Sequence, residues 1–321
     1  MNNRSIWDEI KWRYQTGGVL TRLIMINIGV FLAINIIRVT FMLMSPSNGE
    51  LSNVLRYERI IQYIMVPSNP KILIRQFWSI FTHMFAHEGL LHILFNMLWM
   101  YWFGVIFKQF IGESKLLPTY ILGGLTGALF FILAYNIFPA FSSLDSGYAI
   151  GASAAVTAIV VATAVMVPNY TMHLLFIGPV QLKWIAAVVV ILDFISIPNG
   201  NAGGQIAHLG GAFYGFIYVT QYRNGNDLSK PFYAIWDGIR NFFDFSSKQQ
   251  KKKKSKVKMA YKNDEKIREN RKSSSNKSTS NTQSAKEKQE KIDEILDKIG
   301  RSGYPSLTDE EKAFLFKYSK E

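Results

Sequence analysis

Long runs of apolar residues recur between Leu20 and Tyr222, whereas the last third of the chain is polar and rich in lysine. Because a helix needs about 20 apolar residues to cross the hydrocarbon core of a bilayer, these runs predict membrane-spanning helices. We predict six of them, at about 20–44, 88–110, 116–138, 149–167, 181–197 and 204–222. A soluble protein with a large hydrophobic core would not need apolar runs of this length. The pattern therefore predicts an all-α, multi-pass integral membrane protein.

The same pattern divides the chain into four regions. We predict a cytoplasmic N-terminus over 1–19, a six-helix bundle over 20–222, a basic, largely disordered linker over 223–285 and a small helical hairpin over 286–321. The linker is rich in Lys, Ser and Asn and has too few apolar residues to form a core. In the hairpin, we expect Gly300 and Gly303 to break a first helix, and Thr308–Glu311 has the sequence of a capping box before a second.

The positive charge of the chain lies mostly after the apolar region. The chain has 36 Lys and Arg residues and a net charge of +13, and 24 of the 36 follow Tyr222. Because cytoplasmic segments carry the excess of Lys and Arg, we predict that both termini are cytoplasmic, in the cytoplasmic membrane of a bacterium. Four basic residues between the first two spans favour the opposite orientation, but the N-terminus and the tail together carry more. The tail either binds anionic lipid or is a solvated linker, and DLSKPFYAIWDGIRNFFDF is expected to lie along the inner membrane face.

Cysteine is absent from the sequence, which excludes disulfides, thiol catalysis and cysteine-based metal sites. The N-terminus lacks the short apolar core and cleavage site of a signal peptide, so we expect the first apolar run to be retained. The stretch HEGLLH resembles the zinc-binding pattern HExxH, but His87 and His92 are five residues apart, roughly 140° around a helix, and face different ways. We predict neither a metal nor a cofactor.

Three short motifs carry residues that could take part in chemistry. His92 and Asn96 lie one helical turn apart at the start of the second span. Ser153 follows Gly151 in GASAAV, and His208 adjoins a stripe of small residues spaced by four, formed by Ala207, Gly211 and Gly215. Each motif alone also fits a structural role, because small and polar residues pack and hydrogen-bond between membrane helices.

The predicted topology brings these motifs together. The second, fourth and sixth spans enter the membrane from the same side, and His92, Ser153 and His208 each lie about one turn past the predicted start of their span. They are therefore expected at one depth, just below the outer surface. A serine needs a base to become a nucleophile, and a developing oxyanion needs donors already in place. The set thus has the parts of acyl-transfer chemistry.

These motifs resemble those of the rhomboid family of intramembrane serine proteases. The resemblance covers about Leu20 to Tyr222 and rests on HxxxN (His92, Asn96), GxS (Gly151, Ser153) and AHxxG (Ala207, His208, Gly211), with FTHMFAH ahead of the first motif. It implies that Ser153 is the nucleophile and His208 its general base, in a dyad without a carboxylate. It implies an oxyanion hole from His92, Asn96 and the Ser153 backbone N–H, supported by Gly151, His87, Ala207 and Gly211. The substrate implied is a transmembrane helix of another protein, cut near its outer end.

Three residues depart from the family's usual pattern. Ala154 follows the serine where the family has glycine, Thr157 stands where an aromatic residue often packs on the catalytic histidine, and Ser79 follows Trp78 where arginine is usual. We expect Asp193 to form a hydrogen bond near the outer end of the fifth span and not to touch His208.

Two other functions stay open on the sequence. One is a rhomboid-like pseudoprotease that binds membrane-protein clients without cutting them, and the other is a transporter with an intramembrane relay of His and Asn. The predicted partners are transmembrane protein substrates and the lipid bilayer, with an unknown partner for the C-terminal hairpin and no nucleic acid.

Overall fold

The computed structural model describes residues 5–44, 50–142, 146–175, 177–243 and 281–318. Two compact units are present, Met1–Gln250 and Lys251–Glu321. In the first unit the helices are α1 (Ile6–Thr16), α2 (Val19–Leu43), α3 (Glu50–Gln62), α4 (Pro70–Arg75), α5 (Ser79–Thr82), α6 (Leu90–Phe110), α7 (Leu116–Ile137), α8 (Ser153–Met166), α9 (Leu182–Ser196), α10 (Ala202–Arg223) and α11 (Ser229–Phe243). Two antiparallel strand pairs accompany them: β1 (Val66–Pro67) with β2 (Tyr148–Ala149), and β3 (Thr171–Leu174) with β4 (Gly178–Gln181). Most of the predicted linker, 244–280, lies outside the described residues.

A helix lies at each of the six predicted spans. Among the described residues, three helical segments are long and apolar enough to cross a membrane: Val19–Leu43 and Glu113–Ile137, with 25 residues each, and Leu90–Phe110, with 21. The predicted start of the fourth span, at 149, is wrong. Residues 148–149 form β2, which pairs with β1 in the register Val66↔Ala149, and α8 begins at Ser153 as a shorter apolar helix of 14 residues. The count of six crossings stays a prediction.

Helix α8 occupies the centre of the bundle. It contacts α6, α7, α9 and α10, and every residue from Ala154 to Ala164 is buried. A helix that is apolar on all sides is stable only when neighbours surround it, and SAAVTAIVVATAVM has no polar side chain larger than threonine. Helix α8 therefore begins inside the bundle, surrounded by other helices.

Glycines on α7 and α10 let these helices approach α8 closely. A Cβ atom added at Gly211 would clash with the backbone oxygen of Ala154, and one at Gly215 with that of Ala158. From α7, an added Cβ at Gly127 would lie 2.5 Å from the Ala154 Cβ. The predicted stripe of small residues on α10 thus packs directly on the α8 backbone, as small residues do between membrane helices.

A buried hydrogen-bond network joins α2 and α7 to the segment before α6. The Tyr120 hydroxyl donates to the backbone oxygen of Met84 at 2.6 Å and accepts from Nδ2 of Asn27 at 3.1 Å. Asn27 and Tyr120 are both fully buried. Polar groups inside a membrane bundle need such partners, and this network fixes the chain that leads into the second predicted span.

Helix α11 corresponds to the stretch that we predicted to lie along the membrane face. The Tyr233 hydroxyl donates to the backbone oxygen of Ser114, which lies between α6 and α7. The side chains of Ile235, Trp236 and Ile239 are exposed, as in a helix whose apolar face enters a bilayer interface. Contact of α11 with lipid stays a prediction.

The second unit is a hairpin of α12 (Asn281–Ser302) and α13 (Asp309–Tyr318). Gly300 lies inside α12, contrary to the expected break, and the chain turns at Gly303, whose φ of 76° favours glycine. The capping box is present: Thr308 N–H donates to Glu311 Oε2 at 2.7 Å and Glu311 N–H to Thr308 Oγ1 at 3.3 Å. Lys298 Nζ lies 2.9 Å from Glu311 and ties the two helices together.

Candidate active site

One cavity of about 840 Å³ brings the predicted site residues together. Its walls include His92 and Asn96 of α6, Ser153 of α8 and His208 of α10. It is also lined by residues 148–150 ahead of α8, by Tyr135 of α7 and by Val189 and Asp193 of α9. The residues that the predicted topology places at one depth thus line a single cavity between the helices.

Ser153 is the first residue of α8, not one turn inside a helix as predicted. The residue before it, Ala152, has no side chain that could cap the helix, and its carbonyl accepts the Val156 N–H at 2.9 Å. The first N–H groups of a helix have no acceptor within the helix, and the helix dipole adds partial positive charge there. The Ser153 hydroxyl therefore stands beside backbone donors, including its own N–H.

Three histidines of the stretch HMFAHEGLLH contact the turn that precedes Ser153, two through hydrogen bonds and one through packing. The Gly151 N–H donates to the backbone oxygen of His83 at 2.9 Å, and the Ala152 N–H donates to Nε2 of His87 at 3.4 Å. A Cβ atom on Gly151 would lie 2.7 Å from Cε1 of His92, and the φ of Gly151 is 130°. Both the lack of space and the backbone conformation require glycine at this position.

The rings of His83 and His87 are buried beneath this turn and do not line the cavity. Nδ1 of His83 donates to the backbone oxygen of Ser79 at 3.0 Å. Burial lowers the pKa of both rings from 6.5 to about 4. Both are therefore neutral near pH 7, and neutral His87 can accept the Ala152 N–H.

We expect the stability of the protein to fall as the pH drops from about 6.5 to about 4. In this window the unfolded chain binds protons at His83 and His87 that the folded protein does not bind, which favours unfolding. Each histidine contributes at most about 1.4 kcal/mol per pH unit. Thermal unfolding in detergent between pH 7.5 and 4 measures the effect.

His87→Gln keeps a side-chain acceptor but removes the titration, so it should reduce the pH dependence. The matched control is His173→Gln, since His173 is exposed on β3 and should leave the dependence unchanged. An unfolding temperature for His87→Gln that falls with pH as steeply as in the unchanged protein would contradict this assignment.

His92 and Asn96 lie on the cavity-facing side of α6. The centroids of the His92 and His87 rings are 5.0 Å apart, and the rings pack edge to face. One N–H of the Asn96 amide donates to the His92 backbone oxygen at 2.9 Å. An asparagine amide has a second N–H, so Asn96 can still donate to a group in the cavity while its first bond fixes its orientation.

His208 is hydrogen-bonded to Asp193, and our expectation that Asp193 does not touch it was wrong. His208 Nδ1 lies 2.8 Å from Asp193 Oδ1. The short connection between the antiparallel helices α9 and α10 sets their register, which the sequence pattern did not reveal. Within the described part of the chain, no hydrogen bond joins the Ser153 hydroxyl to the His208 ring, although both line the cavity. The described residues contain no group of three or more His, Asp or Glu side chains arranged as metal ligands.

The three departures from the family pattern have different structural consequences. Ala154 is buried with its Cβ against Gly127 and is not part of the cavity wall. Thr157 lines the cavity, one turn of α8 beyond Ser153. Ser79 is fully buried, and its neighbour Trp78 donates through Nε1 to the Tyr63 backbone oxygen at 2.9 Å. The methyl group of Ala154 is thus accommodated by the bundle and does not narrow the cavity.

Comparisons with known proteins show which families parts of the chain resemble. Residues 74–224 match the rhomboid domain family, and residues 281–321 match a family of unknown function, DUF6576. RHOMBOID-like protein 12, mitochondrial, of Arabidopsis thaliana is 30% identical over 157 residues, which are 46% of this chain and 47% of the plant protein. Rhomboid protease GlpG of Haemophilus influenzae is 30% identical over 169 residues, 52% of this chain and 81% of that protein. The chain thus spans about half the length of the plant relative and most of the bacterial one.

Proposed function

The chain belongs to the rhomboid family of integral membrane proteins, and from this premise we propose that it is an intramembrane serine endopeptidase. The observation that carries the proposal is the cavity that contains Ser153, His208, His92 and Asn96, with Ser153 at the uncapped N-terminus of a buried helix. A hydroxyl, an imidazole and several N–H donors around one space are the groups that peptide-bond hydrolysis through an acyl-enzyme requires.

In the proposed reaction, Ser153 Oγ attacks the carbonyl carbon of the scissile peptide bond while the His208 ring takes the hydroxyl proton. The tetrahedral intermediate then breaks its C–N bond, and His208 gives the proton to the leaving amine. Water enters the cavity, His208 removes one of its protons, and the hydroxide attacks the ester carbonyl. The second tetrahedral intermediate then breaks its C–Oγ bond, and His208 returns the proton to Ser153 Oγ. The products are the amine released earlier, a new C-terminal carboxylic acid, which ionises, and the regenerated Ser153 hydroxyl.

The negative charge of the tetrahedral intermediate is proposed to be stabilised by three donors. These are the Ser153 backbone N–H at the start of α8, the free N–H of the Asn96 amide and the His92 ring. Donors held in place before the reaction stabilise developing charge without reorganisation during the reaction. The hydrogen bond from Asn96 to the His92 backbone and the packing of His92 against Gly151 support this preorganisation.

We propose that the substrate is a transmembrane helix of another protein. The cavity of about 840 Å³ can hold a few residues of extended chain but not an intact helix, so the substrate must unwind locally, near the end of its own span. With both termini of the enzyme in the cytoplasm, as the charge pattern predicts, the cavity opens toward the outer surface.

The main alternative is a pseudoprotease that binds membrane-protein clients without cleaving them. Such relatives typically lack the serine or the histidine, and both residues line the cavity here. A transporter would need polar groups spread along a path through the membrane. The polar side chains of the three motifs instead surround one cavity, which favours the protease.

Reconstitution of the purified protein with a single-span reporter protein in liposomes tests the proposed function. We expect cleavage of the reporter, and we expect a fluorophosphonate probe to modify Ser153, identified by mass spectrometry of the labelled peptide. A chelator should leave cleavage unchanged. Binding of reporters without cleavage, together with no labelling of Ser153, would favour the pseudoprotease instead.

A further inference from the structure

The carboxyl group of Asp193 is placed where it can determine which ring nitrogen of a neutral His208 carries the proton. Its Oδ1 lies 2.8 Å from His208 Nδ1, and only 12% of the Asp193 side chain is exposed. Because an ionised carboxylate can only accept a hydrogen bond, this pair requires the proton of a neutral His208 ring to be on Nδ1. The other ring nitrogen, Nε2, then carries a lone pair.

Asp193 is an unusual residue for the helix that carries it. Much of α9 consists of exposed apolar side chains, namely Trp184, Val188, Ile191, Leu192, Phe194 and Ile195. Asp193 is the one acidic residue of α9 and belongs to its buried face, with Leu182, Ile185 and Ala186. An acidic residue in such a helix is costly and usually faces a partner or a functional cavity, and Asp193 does both.

A tether between α9 and α10 would not need a charge at this position. The second carboxylate oxygen, Oδ2, is buried and has no hydrogen-bond partner in the described structure. A neutral amide could join the two helices without placing an incompletely paired carboxylate there. A carboxylate becomes useful when the neighbouring imidazole gains a proton, because it stabilises the imidazolium ion that forms.

Few other groups could set the orientation of the His208 ring. Thr157, which lines the same cavity, has no ring to stack on it. The titratable side chains that line the cavity are Glu88, His92, Tyr135, Tyr148, Asp193 and His208. Among these, Asp193 is hydrogen-bonded to His208.

We propose that Asp193 is a positioning residue: it holds the His208 proton on Nδ1, so that Nε2 is free to act as the base toward Ser153. The inference rests on the proposed function and extends the Ser153–His208 pair to a third residue on a different helix. Asp193 itself does not touch the substrate. The proton that His208 takes from Ser153 goes to Nε2. The other proton stays on Nδ1 and is hydrogen-bonded to Asp193.

The test compares Asp193→Asn and Asp193→Glu with the unchanged protein in reporter cleavage and fluorophosphonate labelling. We expect Asp193→Asn to lower kcat roughly 100-fold or more, with little change in KM, because an amide can stabilise the wrong tautomer. Asp193→Glu keeps the carboxylate and should recover part of the rate. The matched control is Asp227→Asn, which makes the same chemical change at the start of α11, where Asp227 accepts from Ser229.

A spectroscopic measurement separates positioning from tethering. In ¹⁵N-histidine NMR of the protein in micelles, His208 should be protonated at Nδ1 in the unchanged protein and should lose that preference in Asp193→Asn. Thermal unfolding of each variant reports any loss of folding. Two results would overturn the inference. In one, Asp193→Asn keeps the His208 tautomer and loses cleavage rate only as far as it loses stability. In the other, the kcat of Asp193→Asn stays within about threefold of that of the unchanged protein.

Ser153→Ala in the same assay distinguishes failure of this inference from failure of the proposed function. If Ser153→Ala stops cleavage and Asp193→Asn does not slow it, only the role of Asp193 is wrong. If the unchanged protein neither cleaves the reporter nor reacts with the probe, or if Ser153→Ala still cleaves, the proposed function fails and the role of Asp193 fails with it.

Discussion

Replacement of Ser153 by alanine is expected to lower the rate of reporter cleavage by about 10⁴-fold or more. The substitution removes the hydroxyl that attacks the peptide bond, and no other serine lines the cavity within the described part of the chain. It should leave the fold intact, because the Ser153 backbone N–H remains and alanine favours the first turn of a helix. Cleavage in liposomes and thermal unfolding in detergent measure the two effects separately.

The specificity of this result depends on a second variant and on a control. His208→Ala should reduce cleavage to a similar extent, and the double variant should be no slower than either single one, because residues that act as one unit have non-additive effects. Ser229→Ala, a serine substitution at the start of α11, should cleave normally. Undiminished cleavage by folded Ser153→Ala would show that another group is the nucleophile.

The sequence predicted which residues line the cavity, because their spacing could be combined with the alternating direction of the spans. Ser153 begins α8, His92 lies in the first turn of α6 and His208 lies almost two turns inside α10. The expected depth of one turn was thus only approximate, but it was enough to place the three residues near one level. The contact between Asp193 and His208 was missed, because Asp193 lies on an antiparallel helix and a shift of one or two residues along the axis would separate the pair.

The roles of His83 and His87 could not be predicted from the sequence, for a different reason. Both bond to the backbone of the Gly151–Ala152 turn, one through its carbonyl oxygen and the other through Nε2. Such contacts leave no pattern in the sequence, since any residue has a carbonyl and several side chains can accept a hydrogen bond. The start of α8 was also misjudged, because apolar residues of β2 extend the hydrophobic run beyond the helix.

Gly211→Ala is expected to impair both folding and catalysis, although it adds only one methyl group. The new Cβ would overlap the backbone oxygen of Ala154, and a backbone atom of a central buried helix cannot move aside as the end of a side chain can. Overpacking of this kind costs about 1–3 kcal/mol, which should appear as a lower unfolding temperature in detergent.

The same substitution should reduce cleavage by more than the loss of folded protein explains. Gly211 lies three residues after His208, and Ala154 follows Ser153 directly, so separating α8 from α10 at this contact separates the proposed nucleophile from its base. A misplacement of about 1 Å can cost about 100-fold in rate. The matched control is Gly29→Ala on α2, where an added Cβ meets no atom within 4 Å and better helix propensity should stabilise the protein by up to about 1 kcal/mol. If folded Gly211→Ala cleaves as fast as Gly29→Ala, the close contact between α8 and α10 does not set the geometry of the site.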